Sequence, residues 1–291
     1  MLFDPAARSL NRRDFLATTA AAGAASLVLP QIASAGDKDL YAGFKMGVQS
    51  YSLRGFDAPT ALEHTKTLGL KYWEAYPKHV PLGTLPEQVA KHKKMLSDAG
   101  VTLLAYGVLG FDGNETKARA AFDFAKAMGI VSLSANPKKD KATFDLLDKL
   151  VDEYGVAIAI HNHGPRALYD KISDVEDMVK DRHPLVGACV DTGHYIRSDE
   201  DPVEAIERLG KRVFGCHLKD FLTVDENGRK VKRAKILGEG DLKVLPCLKA
   251  LRKIGFENCL SLEYEENPKN PLSDIEVCLS VVREAAAELD S

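Results

Sequence analysis

The sequence lacks any CxxC pair, and its five cysteines (Cys189, Cys216, Cys247, Cys259 and Cys278) are odd in number and show no framework spacing. That argues against a disulfide-stapled scaffold and a cysteine-built zinc site, and it leaves the cysteines as core residues. It also lacks an excess of positive charge. There are 39 Lys and Arg against 42 Asp and Glu, a formal net charge of -3, which argues against a nucleic-acid-binding surface. Beyond the N-terminal segment, no apolar run is long enough to span a bilayer. No GxGxxG follows the first strand-like run, so the dinucleotide fingerprint is missing. No linker or shift in composition divides the chain.

What is present starts with 291 residues, 45% of them hydrophobic, enough for one large core or two small ones. The N-terminus reads Arg12-Arg13-Asp14-Phe15-Leu16, then an Ala-rich apolar run to Leu29, then Ala33-Ser34-Ala35. A basic start, a short apolar segment and a small-residue cleavage site make an export signal. The paired arginines resemble the twin-arginine type. Residues 1–35 are therefore expected to be a signal cut after Ala35, handled by the twin-arginine export machinery, and the mature chain 36–291 is expected in the periplasm or another extracytoplasmic space.

From residue 44 onward, strand-like runs alternate with amphipathic stretches. The strand candidates are 46–53, 72–76, 101–108, 130–136, 156–163, 186–191, 213–219 and 259–265. The helical stretches include 84–99, 116–128, 141–154, 173–182, 202–209 and 242–254. Gly69, Gly100, Gly129, Gly155 and Gly255 stand where helices should end in left-handed caps. Strands separated by helices run parallel. Eight such units in about 250 residues match a single-domain (β/α)8 TIM barrel. An open doubly wound sheet is the alternative.

Active sites of such barrels form at the C-terminal ends of the strands. Those ends carry Gln49, Tyr51 and Arg54, then Glu74, Tyr106 and Asn136, then His161 and His163, Asp191 and His194, His217 and Lys219, and Glu263 with Glu265. Side chains alternate along a strand. His161 therefore shares a face with His163, and His217 with Lys219. Leu218, Leu260 and Leu262 take the opposite face, toward the helices. The polar face is then the lumen, where ionisable groups are costly unless paired or bound to a cation. His161, Asp191, His217 and Glu263 form a set of two imidazoles and two carboxylates, suited to one divalent ion. Manganese is expected first, with Co, Fe, Zn or Mg as alternatives. Glu263, Lys219 and His163 are the candidate acids and bases. A lysine beside a metal could have a depressed pKa and act as a base. Gln49, Tyr51, Arg54, Glu74, Tyr106, Asn136 and His194 are the candidate substrate contacts. Plainer readings exist: Glu74 as a buried acceptor, the tyrosines as packing, and Lys219 with Asp220 as a solvated ion pair. The polar segment from Thr223 to Leu237, with Asn227-Gly228, reads as a solvated hairpin, or else as a lid or oligomer contact near the site.

The motifs GVQSYSLR (47–54), AIHNHGP (159–165), VDTGH (190–194), HLKD (217–220), LGEGDL (237–242) and SLEYE (261–265) resemble the xylose isomerase-like barrel superfamily. That group includes sugar phosphate isomerases and epimerases, ketose 3-epimerases, inosose dehydratase and endonuclease IV. The resemblance implies that Asp191, His217 and Glu263 bind a divalent metal and that His194 contacts substrate oxygens. A strand-5 glutamate usually completes the metal shell and pairs with the strand-8 glutamate as acid and base. Here His161 takes that place, which keeps a ligand and removes a carboxylate.

The expected reaction is proton abstraction beside a carbonyl, with a metal-stabilised enediolate, in a sugar isomerase or epimerase. The alternative is a lyase or hydratase acting on a 3-keto-glycoside or inosose-like substrate, favoured by His161 and by export. A non-catalytic sugar-binding barrel is a third reading. The expected partner is a small sugar or keto-glycoside, with self-association into a homo-oligomer as an option. DNA repair is disfavoured, because a basic groove and a larger ligand cluster are not evident.

Overall fold

The computed structural model describes residues 39–289, so the expected signal segment 1–35 lies outside the described residues. Eight parallel strands close into a barrel in the order β1-β10-β7-β6-β5-β4-β3-β2. They are β1 (Lys45–Gln49), β2 (Tyr72–Ala75), β3 (Thr102–Phe111), β4 (Ser132–Pro137), β5 (Ala157–His161), β6 (Val186–Asp191), β7 (Val213–Leu218) and β10 (Cys259–Leu262). Around them run α1 (Ala58–Thr67), α2 (Pro86–Ala99), α3 (Glu115–Met128), α4 (Lys141–Tyr154), α5 (Ile172–Val179), α6 (Thr192–Arg197), α7 (Pro202–Leu209), α8 (Val244–Ile254) and α9 (Leu272–Leu289). None of the described helices is long and apolar enough to cross a membrane.

The helix ends follow local chemistry. Asp57, Asn114 and Asp140 each accept a backbone N–H from the first turn of their helix, which satisfies an otherwise orphaned donor. The five glycines singled out as caps all have positive φ. Outward-facing Trp73, Ile158, Ile160, Leu218 and Leu262 are buried in the layer shared with the helices. Trp73 also donates from its indole to Thr65 Oγ1 on α1 at 2.8 Å. All five cysteines are free and buried.

Three strands end earlier than their apolar runs suggest. β1 stops at Gln49 and gives way to a 3-10 turn over Ser50–Leu53. There Ser50 Oγ accepts from Tyr76 N and Ser52 Oγ from Tyr264 N. β5 stops at His161 and β10 at Leu262. His163, Glu263 and Glu265 therefore sit on loops at the rim. The segment after β7 forms an antiparallel hairpin, β8 (Asp220–Glu226) and β9 (Arg229–Lys235), outside the barrel sheet. Asn227 and Gly228 both adopt positive φ at its tip, as a tight hairpin turn requires.

Candidate active site

The lumen is polar near the C-terminal ends of the strands. Glu74 on β2 is fully buried; its carboxylate accepts from Ser134 Oγ on β4 at 2.6 Å and Ser261 Oγ on β10 at 3.1 Å. It also lies 2.8 Å from His217 Nε2 on β7. With Nε2–H donating to Glu74, the other nitrogen of His217 keeps its lone pair for the barrel mouth. That nitrogen, Nδ1, faces His161 Nε2 at 3.1 Å and Glu263 Oε2 at 3.1 Å.

The donor atoms of His161, Asp191, His217 and Glu263 all lie within 4.8 Å of one another, and all four residues are buried. Asp191 ends β6 and caps α6: its Oδ1 accepts the backbone N–H of His194 at 2.7 Å. Its Oδ2 is buried without a hydrogen-bond partner. Around that oxygen stand Lys219 Nζ at 3.3 Å, His161 Nε2 at 3.6 Å and His217 Nδ1 at 3.7 Å. An orphaned carboxylate oxygen is costly in a dry interior, and a cation among these donors would satisfy it. Two imidazoles and two carboxylates fit a divalent transition metal. Cys189 groups with His161 and His217 in a second, three-residue set. Burial pushes its thiol pKa up, so it brings no anion, and the four-residue set is the better cradle.

The loops hold these groups in place. Asn162 exchanges two hydrogen bonds with the backbone of Asp191, at 2.8 and 3.0 Å. Thr192 Oγ1 joins the backbone of Lys219, accepting from its N–H and lying 2.7 Å from its carbonyl. A Cβ at position 193 would lie 2.5 Å from Lys219 Cγ, so glycine is required in the VDTGH turn. Asp220 accepts the backbone N–H groups of Gly238, Gly240 and Leu242 and so folds the LGEGDL loop onto the rim. A Cβ at Gly240 would collide with the Asp220 carboxylate.

Lys219 and Asp220 do not pair with each other, contrary to one of the plainer readings. Lys219 turns inward, 7% exposed, with Nζ at 2.5 Å from Glu265, 2.9 Å from Glu263 and 3.3 Å from Asp191. Burial opposes its charge, but the carboxylates prevail and raise its pKa. In the metal-free site the nearest neighbours of Lys219 are anions, and its pKa lies above the ordinary lysine value. Burial likewise opposes the charges of Glu263, Asp191 and Glu74, yet Lys219, His194 and His217 hold them ionised, below the ordinary carboxylate range. His217 is raised well above an ordinary histidine, burial being outweighed by the ionised carboxylates of Glu74 and Glu263. Partial enclosure and the adjacent His161 lower His163 to about 4, so it is neutral near pH 7.

A cavity of about 380 Å³ opens over this cluster. His161, His163, His194, Glu263, Gln49 and Tyr51 line it. Arg54, Glu74, Tyr106 and Asn136 are not among its lining residues. Arg54 stacks on Tyr51 and binds the carbonyl of Glu265. Glu74 lies deeper, behind His217. Tyr106 is buried and donates to Val80 O, and Asn136 is exposed at the end of β4. The cavity wall also includes Pro77, Gly107 and Val108, which carry no signal in the sequence. These are apolar or lack a functional group, so nothing in their chemistry marks them. Asn162 positions Asp191 from between His161 and His163, a role that its place in the sequence does not mark.

A closed parallel barrel with a compact His/Asp/Glu cluster at its C-terminal mouth defines a class of single-domain (β/α)8 proteins built around a rim site. Within it, the chain belongs to the xylose isomerase-like TIM barrel family, whose model matches residues 62–281. It is 30% identical over 146 residues to the inosose dehydratase of Clostridium perfringens, covering 43% of this chain and 47% of that one. The chain thus spans about half the length of the curated relatives it matches. An uncharacterised protein from Parabacteroides distasonis is 26% identical, with a TM-score of 0.63 over 84% of this chain and 99% of that one. The zinc-containing IOLI protein, 18% identical, shares the fold, with a TM-score of 0.64 over 84% of this chain and 98% of that one.

Proposed function

We propose that the protein is a divalent-metal-dependent lyase of the dehydratase type, which eliminates a β-substituent from a cyclic keto-polyol such as an inosose or a 3-keto-glycoside. The observation that carries this reading is the pairing of Glu263 with Lys219 at 2.9 Å, together with a histidine at position 161. At this contact a carboxylate is paired with an ammonium, in place of two opposed carboxylates. His161, Asp191, His217 and Glu263 would hold the ion, which when bound stabilises negative charge on the substrate's carbonyl oxygen. Glu263 accepts the proton from the carbon beside the carbonyl. Lys219 gives a proton to the oxygen that leaves, so the substrate loses the elements of water or of an alcohol. Their contact then returns the proton from Glu263 to Lys219 and restores the starting state. His194 donates to substrate oxygens. The similarity to inosose dehydratases supports the same choice.

A second reading, isomerisation or epimerisation, is favoured by the placement of His163 beside Glu263 in one cavity, since two proton carriers can serve one carbon. The test is to incubate protein loaded with manganese, or in turn with zinc, with ketohexoses, an inosose and 3-keto-glycosides. Dehydrated product or released aglycone without epimers is expected. Epimers or aldose–ketose interconversion without elimination would reject the lyase reading. Export of the folded chain by the twin-arginine route belongs to the same proposal and rests on the N-terminal sequence alone.

A further inference from the structure

A second cavity, of about 480 Å³, lies between the barrel rim and the β8–β9 hairpin, and His194, Glu263 and Glu265 line both it and the first. The two spaces therefore adjoin across Glu263, the assigned proton acceptor, and Lys219, the assigned proton donor, lines the second. Each falls within the range of about 300–1,000 Å³ usual for small-molecule sites. The far wall of the second is β9, from Lys232 to Lys235, with Phe221 and Arg197 on one flank and Glu266 on another.

The charges of this wall decide what it suits. Lys232 is held by Asp199 at 2.8 Å, Arg233 by Glu226 at 2.7 Å, Lys219 by Glu263 and Glu265, and Lys235 lies 3.9 Å from Glu239. Arg197 has no carboxylate partner among the described residues. Its guanidinium lies 2.8 Å from His194 Nδ1 and over the Phe221 ring at 5.4 Å. Glu266 is exposed and forms no ion pair among the described residues. Two open groups of opposite sign, with the other cations already matched, suit hydroxyls that both donate and accept. They do not make a net positive well for a phosphate or carboxylate.

We infer that this second cavity seats the leaving group, a neutral hydroxylated ring joined through an oxygen to the ring held over the metal cluster. The substrate class is then a two-ring keto-glycoside, in preference to a free single-ring sugar. The inference rests on the elimination reading for the meaning of "leaving group", but the cavity can be tested by binding alone. Ala234, on the β9 wall of the cavity, is the point of attack: Ala234→Phe adds bulk from a strand that contributes no metal-cluster residue.

The test is isothermal titration of the metal-loaded protein with glucose, cellobiose and glucose 6-phosphate. Cellobiose should bind at least ten-fold more tightly than glucose. Ala234→Phe should abolish that advantage while metal content and the glucose constant stay as in wild type. Should that variant fail to fold, Glu266→Ala, on the exposed flank, is expected to weaken cellobiose alone by several-fold. Equal affinity for glucose and cellobiose would overturn the inference. So would a cellobiose advantage that survives both substitutions, or a preference for glucose 6-phosphate. If cellobiose binding behaves as expected but no keto-glycoside is cleaved, the second site stands and the elimination reading falls.

Discussion

Glu74 Oε2 lies 2.8 Å from His217 Nε2, with both side chains wholly buried inside the barrel. This contact sets which nitrogen of His217 carries the proton, and so which one can face an ion. A carboxylate behind a metal-binding imidazole orients the ring and strengthens it as a donor. Glu74→Gln keeps the volume and one acceptor oxygen but loses the charge and replaces the second acceptor by an NH2 donor. It is expected to weaken divalent-ion affinity about 10- to 100-fold, measured by titration against a competing chelator. Unchanged affinity would show that Glu74 serves packing alone.

Asp191 does two separable things: Oδ1 caps α6, while Oδ2 points into the cluster without a hydrogen bond, 3.3 Å from Lys219 Nζ. Asp191→Asn should preserve the cap, which is worth about 1 kcal/mol, and lose most of the bound metal. Elemental analysis should find about one ion per chain in wild type and far less in the variant, with a melting temperature in metal-free buffer close to that of wild type. Retention of a full equivalent of metal would remove Asp191 from the ligand set.

The raised pKa of His217 fixes the sign of a pH effect. In the metal-free protein this proton stabilises the fold at low pH, and that contribution is lost as pH rises through the raised pKa. An ion must displace the proton, so metal affinity should rise as pH increases from 5.5 to 8, by about ten-fold per unit where one proton is released. Calorimetry in buffers of different ionisation enthalpy counts that proton directly. A pH-independent affinity would contradict the arrangement.

Much of this was legible in the chain because a barrel repeats its grammar. Glycines at the helix ends, apolar runs of strand length and polar residues at the run ends were enough to place His161, Asp191, His217 and Glu263 in one lumen. What could not be read was direction after the strand stops. Lys219 and Asp220 are neighbours in sequence, yet one turns into the carboxylate cluster and the other toward three backbone amides. That split depends on Thr192 and on the LGEGDL loop, which meet the two residues only in three dimensions. Tyr106 and Glu74 sit on strands at positions that read as rim, but Tyr106 lies in register with Ala75 and Leu133 and turns outward against Phe124 of α3, while Glu74 faces the lumen behind His217, and neither lines the cavity.

Gly193 leaves room for the lysine stem that crosses behind it. Gly193→Ala places a methyl 2.5 Å from Lys219 Cγ and must displace that side chain. Turnover is expected to fall at least ten-fold with metal content retained, since even a small misplacement of a reacting group is costly. Elemental analysis beside single-turnover kinetics separates the two. A variant with wild-type rates would show that Lys219 is not a proton donor in the reaction.

The five thiols lie sealed beneath strands and helices, and burial raises the pKa of each of them. A protonated, enclosed sulfur is a poor target for oxidants or for disulfide exchange. The barrel needs no crosslink to hold its shape, and it has no exposed sulfhydryl to lose. It should therefore be indifferent to the redox poise of its surroundings, folding the same way in a reducing cytosol as it would persist in an oxidising medium.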